Sequence, residues 1–175
     1  MGEVLSAIVT VLLIAWSGLV SLVGGFAVGG TDAGTDAPAP TATTATATVA
    51  VVVDGDTIEL ASGERVRLLG IDTPEYGECY FTESTAYLRQ WLTGETVRLE
   101  RDVTDRDDYH RLLRHVFAPA PAATSSALVH VNERLLEAGY AVVLPIPPDR
   151  AYRAEFAAAE AAAATNGRGL HRACE

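Results

Sequence analysis

An unbroken apolar run near the amino terminus limits how much of this chain can form a globular fold. From Val4 to Val28 no residue carries a charge, and the run consists mainly of valine, leucine, isoleucine, alanine and glycine. A run of about 25 residues is long enough to cross a bilayer as a helix. We therefore predict that residues 1–28 form a transmembrane anchor or a signal peptide, and the length of the run favours the anchor. Signal-peptide cleavage near the small residues around Ala27 is the alternative.

The residues after this run predict a linker followed by one domain. Residues 29–46 consist of Thr, Ala, Pro, Gly and Asp, a composition that cannot bury a core and predicts a disordered linker. Residues 47–175 have a near-average composition and are long enough for one modest domain. We expect this domain to be exported. It would stay at the cell surface if the N-terminal helix is retained and be secreted if the helix is cleaved.

The two cysteines, Cys79 and Cys174, lie far apart in the sequence of this domain. In an exported protein such a pair predicts a disulfide, which would tie the C-terminus to the body of the domain. Two unrelated buried thiols are the alternative. A zinc site is not expected, because only two cysteines are present and no paired histidines lie nearby.

Short apolar segments separated by turns predict an α+β domain. Strands are expected at residues 46–54, 57–60, 65–71, 96–100 and 111–117. Helices are expected at 82–92, with Thr82 as the N-cap, at 129–138 and at 149–164, with an exposed loop at 118–126. Five short strands with three helices fit a small β-barrel on which the helices pack.

The charge of the chain narrows the classes of function. The formal net charge is −10 at pH 7, and all 13 basic residues are arginine, because the chain contains no lysine. General nucleic-acid binders usually carry a basic surface, so this acidity counts against that class. It does not exclude a protein whose few arginines are concentrated at one phosphate-binding site.

Carboxylates and arginines recur near the ends of the predicted strands. Asp56 lies in an Asp-Gly-Asp-Thr turn, while Asp72 and Glu75 follow the third strand. Carboxylates that are brought together repel each other unless a cation joins them, and hard oxygen ligands suit Ca²⁺ or Mg²⁺. Arg67 and Arg111 lie on strands or at their edges, and arginine binds phosphate in a bidentate manner. Each segment alone is more often a simple turn or a solvated surface residue, but together they suit phosphoryl chemistry.

Four segments occur in an order and spacing that resemble one known family. They are the Asp-Gly-Asp-Thr turn at 54–57, Arg-Leu-x-x-Ile-Asp-Thr-Pro-Glu at 67–75, Asp-x-Tyr-x-Arg-Leu-Leu at 107–113 and Val-Asn-x-x-Leu-x-x-x-Gly-x-Ala at 131–141. On these motifs the chain resembles the staphylococcal nuclease (thermonuclease) family over nearly all of residues 47–172. The resemblance implies a five-stranded barrel of the OB type. It also implies a calcium-dependent nuclease that hydrolyses phosphodiester bonds of DNA or RNA and leaves 3′-phosphate ends.

The resemblance further implies a role for individual residues. The implied Ca²⁺ ligands are Asp56, Asp72 and the backbone carbonyl of Thr73. The implied catalytic residues are Arg67 and Arg111, which would bind the phosphate and stabilise the transition state, and Glu75, which would act on the attacking water as base or orienter. Tyr109 would contact the terminal phosphate of the substrate. The catalytic domain is expected to be monomeric.

Departures from the family pattern bear on substrate preference. Asp108 stands where the family often has a basic residue, and Leu144-Pro145 stands where tyrosines often line the nucleotide pocket. His110 replaces a glycine, so the backbone is not expected to use glycine's conformations there. The alternative function is a non-catalytic OB-fold module that binds nucleic acid or protein. Such relatives tend to lose the acidic and arginine residues, all of which are retained here.

Overall fold

A computed structural model of the chain describes residues 44–121 and 127–174. The predicted membrane segment, nearly all of the predicted linker and residues 122–126 lie outside the described residues. Among the helices in the described ranges, none is both long enough and apolar enough to cross a membrane.

The described part of the chain contains eight strands and four helices. The strands are β1 (Thr44–Val52), β2 (Thr57–Leu60), β3 (Arg65–Leu68), β4 (Ile71–Asp72), β5 (Thr96–Glu100), β6 (Leu112–Pro119), β7 (Leu128–His130) and β8 (Val142–Val143). The helices are α1 (Phe81–Leu92), α2 (Val131–Ala138), α3 (Arg153–Thr165) and the four-residue α4 (Leu170–Ala173). The first strand starts at Thr44, three residues before the expected start of the domain.

Five of the strands close into a barrel, in the order β3-β2-β1-β5-β6. Neighbours along this order are antiparallel, and a parallel pairing of β3 with β6 closes the barrel, with Val66 opposite Leu112. The first half of β1 pairs with β5 and its second half with β2, with an irregularity between Val49 and Val51 that lets one strand serve both neighbours. The predicted α+β fold, a five-stranded OB-type barrel with about three helices, is confirmed.

The third predicted strand ends earlier than its sequence indicates. β3 stops at Leu68, and Gly70 adopts a left-handed φ of 78°, which glycine tolerates best. A Cβ at Gly70 would lie 2.8 Å from the ring of Phe156, so packing also requires glycine there. The chain resumes as β4, which pairs with β8 instead of continuing the barrel wall. This bend separates Asp72 from the barrel strand that precedes it.

Three predicted helix starts and one predicted loop start were wrong. The N-cap of α1 is Tyr80 in a left-handed conformation, without a side-chain cap, so Thr82 lies inside the helix. The helix expected from residue 129 starts at Val131 because β7 occupies the preceding residues. The helix expected from residue 149 starts at Arg153. The expected loop at 118–126 loses its first two residues to β6.

A buried asparagine joins α2 to the barrel. Asn132 is fully buried, and its Oδ1 accepts the backbone N–H of Val116 at 3.0 Å. Its Nδ2 donates to the carbonyl of Leu69 at 2.9 Å. A buried amide left without partners would cost free energy, so these bonds select one packing of α2. They also fix the bend after β3, which carries β4.

The predicted disulfide between Cys79 and Cys174 is present, with an S–S distance of 2.06 Å. Cys79 lies in the loop between β4 and α1, and Cys174 follows α4. The bond therefore ties the C-terminus to the loop that follows Asp72 and Glu75.

Reduction of this disulfide is expected to lower the free energy of unfolding by up to about 4–5 kcal/mol, because the bond constrains a long loop in the unfolded chain. The two cysteines are 95 residues apart in sequence. Urea denaturation of the full chain with and without a thiol reductant measures the change. The Cys79→Ser/Cys174→Ser variant should be equally unstable in both conditions. Identical stabilities of oxidised and reduced wild type would contradict the expectation.

Two histidines belong to an aromatic cluster in the interior. The rings of His115 and His130 lie 5.3 Å apart, and both contact Tyr152 and Phe156. Within residues 44–121 and 127–174, their ring nitrogens have no hydrogen-bond partner. Burial lowers the pKa of His115 to about 4 and that of His130 to about 3. Both imidazoles are therefore neutral at pH 7.

The free energy of unfolding is expected to fall as the pH is lowered from 7 to 4. Over this range the unfolded histidines, with an ordinary pKa of 6.5, bind protons that the folded ones do not. Each histidine contributes up to about 1.4 kcal/mol per pH unit to the slope of the free energy of unfolding against pH. His130→Phe keeps a ring stacked on Phe117 and should reduce the slope. Denaturation at several pH values measures it, and equal slopes for wild type and variant would refute this account.

Candidate functional site

The turn between β1 and β2 places a carboxylate inside the fold. The Oδ1 of Asp54 accepts the backbone N–H of Asp56 at 3.1 Å, which stabilises the turn. A Cβ at Gly55 would lie 2.6 Å from Oγ1 of Thr73, so only glycine fits there. Asp56 itself is only 5% exposed. The Asp-Gly-Asp-Thr turn is thus shaped by its contact with the segment after β4.

Thr73 contacts Asp56 from the other side. Its backbone N–H and its hydroxyl both donate to Oδ2 of Asp56, each at 3.0 Å. The hydroxyl of Thr57 donates to Oδ1 of the same carboxylate at 3.2 Å. Asp56 and Thr73, two of the three predicted metal-binding residues, are therefore in direct contact.

The guanidinium of Arg67 joins the two predicted metal-binding carboxylates. Its Nε lies 3.1 Å from Oδ1 of Asp56, and its Nη2 donates to Oδ1 of Asp72 at 2.7 Å. Its Nη1 donates to the carbonyl oxygens of Leu68 and Ile71, each at 2.7 Å. Arg67 is only 7% exposed, so it is not the strand-surface residue that its sequence position suggests. Most of its N–H donors are used within the protein.

Burial raises the pKa of Asp56 to about 6, against the lowering effect of Arg67, and Asp54 adds to the rise. A cation near this carboxylate would offset the cost of burying its charged form. Asp56, Asp72 and the carbonyl of Thr73 are hard oxygen donors, so their chemistry fits Ca²⁺ or Mg²⁺. In the described ranges, no three His, Cys, Asp or Glu side chains form a metal-binding group. The predicted ligand set contains two such side chains and a backbone carbonyl.

A second group of predicted residues lines a shallow surface pocket. Its walls are formed by Arg65, Glu75, Tyr109 and Arg111. Tyr109 is 81% exposed, and the guanidinium of Arg111 lies 5.5 Å from the centre of its ring. The pocket therefore places a carboxylate, two cations and an open aromatic ring around one space that a substrate can enter.

Asp107 positions the residues on one side of this pocket. Its Oδ1 accepts the backbone N–H groups of Tyr109 at 3.0 Å and Arg111 at 2.9 Å. Its Oδ2 accepts Nε of Arg111 at 2.7 Å. The Nη1 of Arg111 donates to the hydroxyl of Thr57 at 3.4 Å, and that hydroxyl also contacts Asp56. Thr57 thus connects the pocket to the buried carboxylates.

The structure brings all seven predicted site residues into these two connected groups. Arg67 belongs to the buried carboxylate group and not to the pocket walls. Sequence reasoning missed Arg65, because this residue belongs neither to one of the four motifs nor to the apolar pattern of its strand. The parallel pairing of β3 with β6 puts Arg65 beside Arg111, and no local sequence pattern encodes that pairing.

The expectation for His110 was wrong. Its φ is 65°, so the residue adopts the left-handed conformation that glycine would favour. This costs a non-glycine residue on the order of 1–2 kcal/mol. Its N–H donates to the carbonyl of Asp107 at 3.0 Å, and its own carbonyl accepts Nη1 of Arg106 at 2.8 Å. These bonds hold the turn that carries Tyr109 and Arg111.

Residues 65–172 match the family described as staphylococcal nuclease homologue. The chain belongs to this family. A thermonuclease of Staphylococcus intermedius is 33% identical over 111 residues, which cover 58% of this chain and 61% of the relative. An uncharacterized endonuclease of Escherichia coli O157:H7 is 36% identical over 95 residues, covering 53% and 56%. A micrococcal nuclease of Shigella flexneri is 34% identical over 96 residues, covering 51% and 53%.

The chain spans between about half and three fifths of the length of these curated relatives. In this staphylococcal nuclease homologue, the family match starts at the first residue of β3 and contains Arg67, Asp72, Thr73, Glu75, Tyr109 and Arg111. Asp56 precedes the matched residues. Its contacts with Arg67 and Thr73 nevertheless make it part of the same group.

The Arg67→Met substitution is expected to lower the free energy of unfolding by about 3–5 kcal/mol, because it leaves the buried carboxylate of Asp56 without its charged partner. Chemical denaturation at pH 7 measures the loss. Adding Asp56→Asn should recover part of it. Arg134→Met, which breaks the exposed pair with Glu137, is the matched control and should cost less than about 1 kcal/mol. A loss at Arg67 no larger than this control would contradict the interpretation.

Proposed function

We propose that this protein is a calcium-dependent nuclease that hydrolyses phosphodiester bonds of DNA or RNA. The observation that carries the proposal is the pocket in which Glu75, Tyr109 and Arg111 lie together, connected through Thr57 to the carboxylate of Asp56. Membership of the staphylococcal nuclease family and relatives named thermonuclease, endonuclease and micrococcal nuclease support the same activity.

In the proposed site, Asp56, Asp72 and the carbonyl of Thr73 would hold Ca²⁺. The partly exposed Asp72 would complement the buried Asp56 as a ligand. A bound Ca²⁺ ion would neutralise charge on the substrate phosphate. Arg67 keeps the two carboxylates together, and its remaining N–H donor is available to the same phosphate.

The surface residues of the pocket would act on the reacting groups. Glu75 orients the attacking water or accepts its proton as oxygen adds to phosphorus. Arg111 donates hydrogen bonds to the phosphate and stabilises the charge of the five-coordinate transition state. The bond from phosphorus to the 5′ oxygen breaks, and this oxygen takes up a proton from solvent and leaves as a 5′-hydroxyl. The other product keeps a 3′-phosphate end. Tyr109 contacts a terminal phosphate of the substrate.

The proposed biological form is an exported, monomeric catalytic domain that follows a linker. The N-terminal helix would hold it at the membrane, and cleavage of that helix would release it. The disulfide suits an oxidising compartment and so agrees with export.

The alternative proposal is a non-catalytic binding module on the same barrel. A module of this kind has no use for a carboxylate in the same pocket as phosphate-binding arginines, because Glu75 would repel a bound polyanion. Retention of Glu75 in the pocket therefore favours the enzyme.

The purified full chain is expected to cleave single-stranded DNA or RNA in the presence of Ca²⁺ and to lose this activity with a chelator. Glu75→Gln and Arg111→Ala should each lower the rate by roughly 10²-fold or more, because each removes a group that acts in the transition state. The measurement is the initial rate of cleavage of a labelled oligonucleotide, followed by analysis of the product ends.

Glu155→Gln is the control for this experiment. Glu155 is exposed on α3 and does not line the pocket, so its variant should keep its activity within a fewfold of wild type. A folded, calcium-loaded wild type that binds the oligonucleotide without cleaving it would favour the binding module. Cleavage that persists in both Glu75→Gln and Arg111→Ala would place the active site elsewhere.

A further inference from the structure

We propose that Arg65 is a substrate-binding residue that holds the phosphate next to the one being cleaved. This inference rests on the proposed nuclease function and adds a contact that would favour polymeric over single-phosphodiester substrates. Arg65 precedes the motif that begins at Arg67, and the family resemblance assigns it no role.

The position of Arg65 follows from the closure of the barrel. Val66 of β3 lies opposite Leu112, the first residue of β6, in a parallel pair. Arg65 directly precedes Val66 and Arg111 directly precedes Leu112, so the two arginines stand side by side at this end of the pairing. Residues in register on neighbouring strands project to the same face, and their strands are about 4.8 Å apart. Both arginines accordingly line the same pocket as Glu75 and Tyr109.

The guanidinium of Arg65 is largely free for a ligand, whereas that of Arg67 keeps only one N–H donor without a protein partner. The side chain of Arg65 is 61% exposed, and its Nε lies 3.5 Å from Oε2 of Glu59. No other hydrogen bond or ion pair of this side chain occurs among the described residues. An exposed pair of this kind is weak, so a phosphate can compete with Glu59 for the guanidinium. Arg67, in contrast, is buried and engaged with both carboxylates.

Two of the nearby carboxylates are already paired with other arginines. Glu64, the neighbour of Arg65 in sequence, accepts Nη1 of Arg106 at 2.8 Å. Asp107 accepts Nε of Arg111 at 2.7 Å. These pairs reduce the repulsion that a polyanion would meet at the entrance of the pocket. In a chain with a net charge of −10, such local pairing is what allows one exposed arginine to attract a phosphate.

Arg111 and Arg65 bind different phosphates of the substrate. Arg111 is held by Asp107 and Thr57 next to the buried carboxylates, so it faces the phosphate that reacts. Arg65 has a long side chain without such fixing contacts and is more exposed, with 61% of its side-chain surface accessible against 28% for Arg111. It can therefore reach the adjacent phosphate of the same strand. A substrate with a single phosphodiester offers no group for this contact.

The test compares Arg65→Ala with wild type on two substrates in Ca²⁺. One is an oligothymidylate of five nucleotides, and the other is the dinucleoside monophosphate TpT, which has no adjacent phosphate. For the oligothymidylate, KM should rise on the order of tenfold while kcat stays within about twofold, as for loss of a contact made equally in ground and transition states. The kinetic constants for TpT should not change.

Equilibrium binding gives a readout that does not depend on turnover. In a Glu75→Gln background, fluorescence anisotropy of labelled oligothymidylate is measured at several salt concentrations. Loss of one phosphate contact should make the slope of log affinity against log salt less negative by about 0.7. Arg65→Lys should keep the slope near that of wild type. Arg134→Ala is the matched control, since Arg134 is also exposed, is paired with one glutamate and lies outside the pocket.

The outcomes separate this proposal from the one on which it rests. If wild type cleaves the oligothymidylate but Arg65→Ala behaves like Arg134→Ala, the role of Arg65 is refuted and the nuclease function stands. If Arg65→Ala impairs TpT and oligothymidylate equally, Arg65 binds the reacting phosphate and the adjacent-phosphate assignment is wrong. If folded wild type neither binds nor cleaves either substrate, both proposals fall.

Discussion

The arrangement of the site depends on the buried guanidinium of Arg67. Its hydrogen bonds reach a turn before β2, the end of β3 and the strand β4, three segments that the barrel alone does not hold together. Since β4 leaves the barrel wall at Gly70, the position of Asp72 depends on contacts of this kind. Asn132 supports the same bend from the side of α2 by bonding the carbonyl of Leu69. The buried side chains of Arg67 and Asn132 thus fix the position of β4, which apolar packing alone would not determine.

The barrel could be predicted because its strands have a local sequence pattern, in which apolar residues alternate with polar ones between glycine-containing turns. The predictions failed where a tertiary contact overrode the local pattern. β3 stops at Leu68 because Gly70 must approach Phe156, a residue of a helix far along the chain. The N-cap of α1 lies at Tyr80, in a left-handed conformation that no propensity favours, next to the disulfide-bonded Cys79. Neither constraint can be read from the neighbouring residues.

The residues of the candidate site also fall into those that the sequence predicted and those that depend on tertiary contacts. The motifs identified the carboxylates, Glu75, Tyr109 and Arg111, and the structure brings them into two connected groups. Periodicity misjudged Arg67, because an arginine on a short strand is usually solvated, whereas here carboxylates and carbonyls compensate its burial. Arg65 was missed because its neighbour Arg111 directly precedes β6, a strand about 45 residues away that pairs in parallel with β3 and closes the barrel. His110 was misjudged because its turn is held by Arg106 and Asp107 despite the left-handed strain.

The charge distribution explains how so acidic a chain can present a phosphate-binding surface. The arginines on this face differ in how many hydrogen bonds and ion pairs they form within the protein. The fewer they form, the more N–H groups remain for a ligand. Arg67 is buried and uses most of its N–H donors within the protein, so exchanging its carboxylate partners for a phosphate would leave the buried charge of Asp56 unpaired. Arg111 keeps part of its guanidinium free, and Arg65 is free apart from a weak exposed pair. The number of guanidinium N–H groups that a ligand can bind thus increases from buried Arg67 to exposed Arg65. An incoming polyanion therefore meets Arg65 first and Arg67 last.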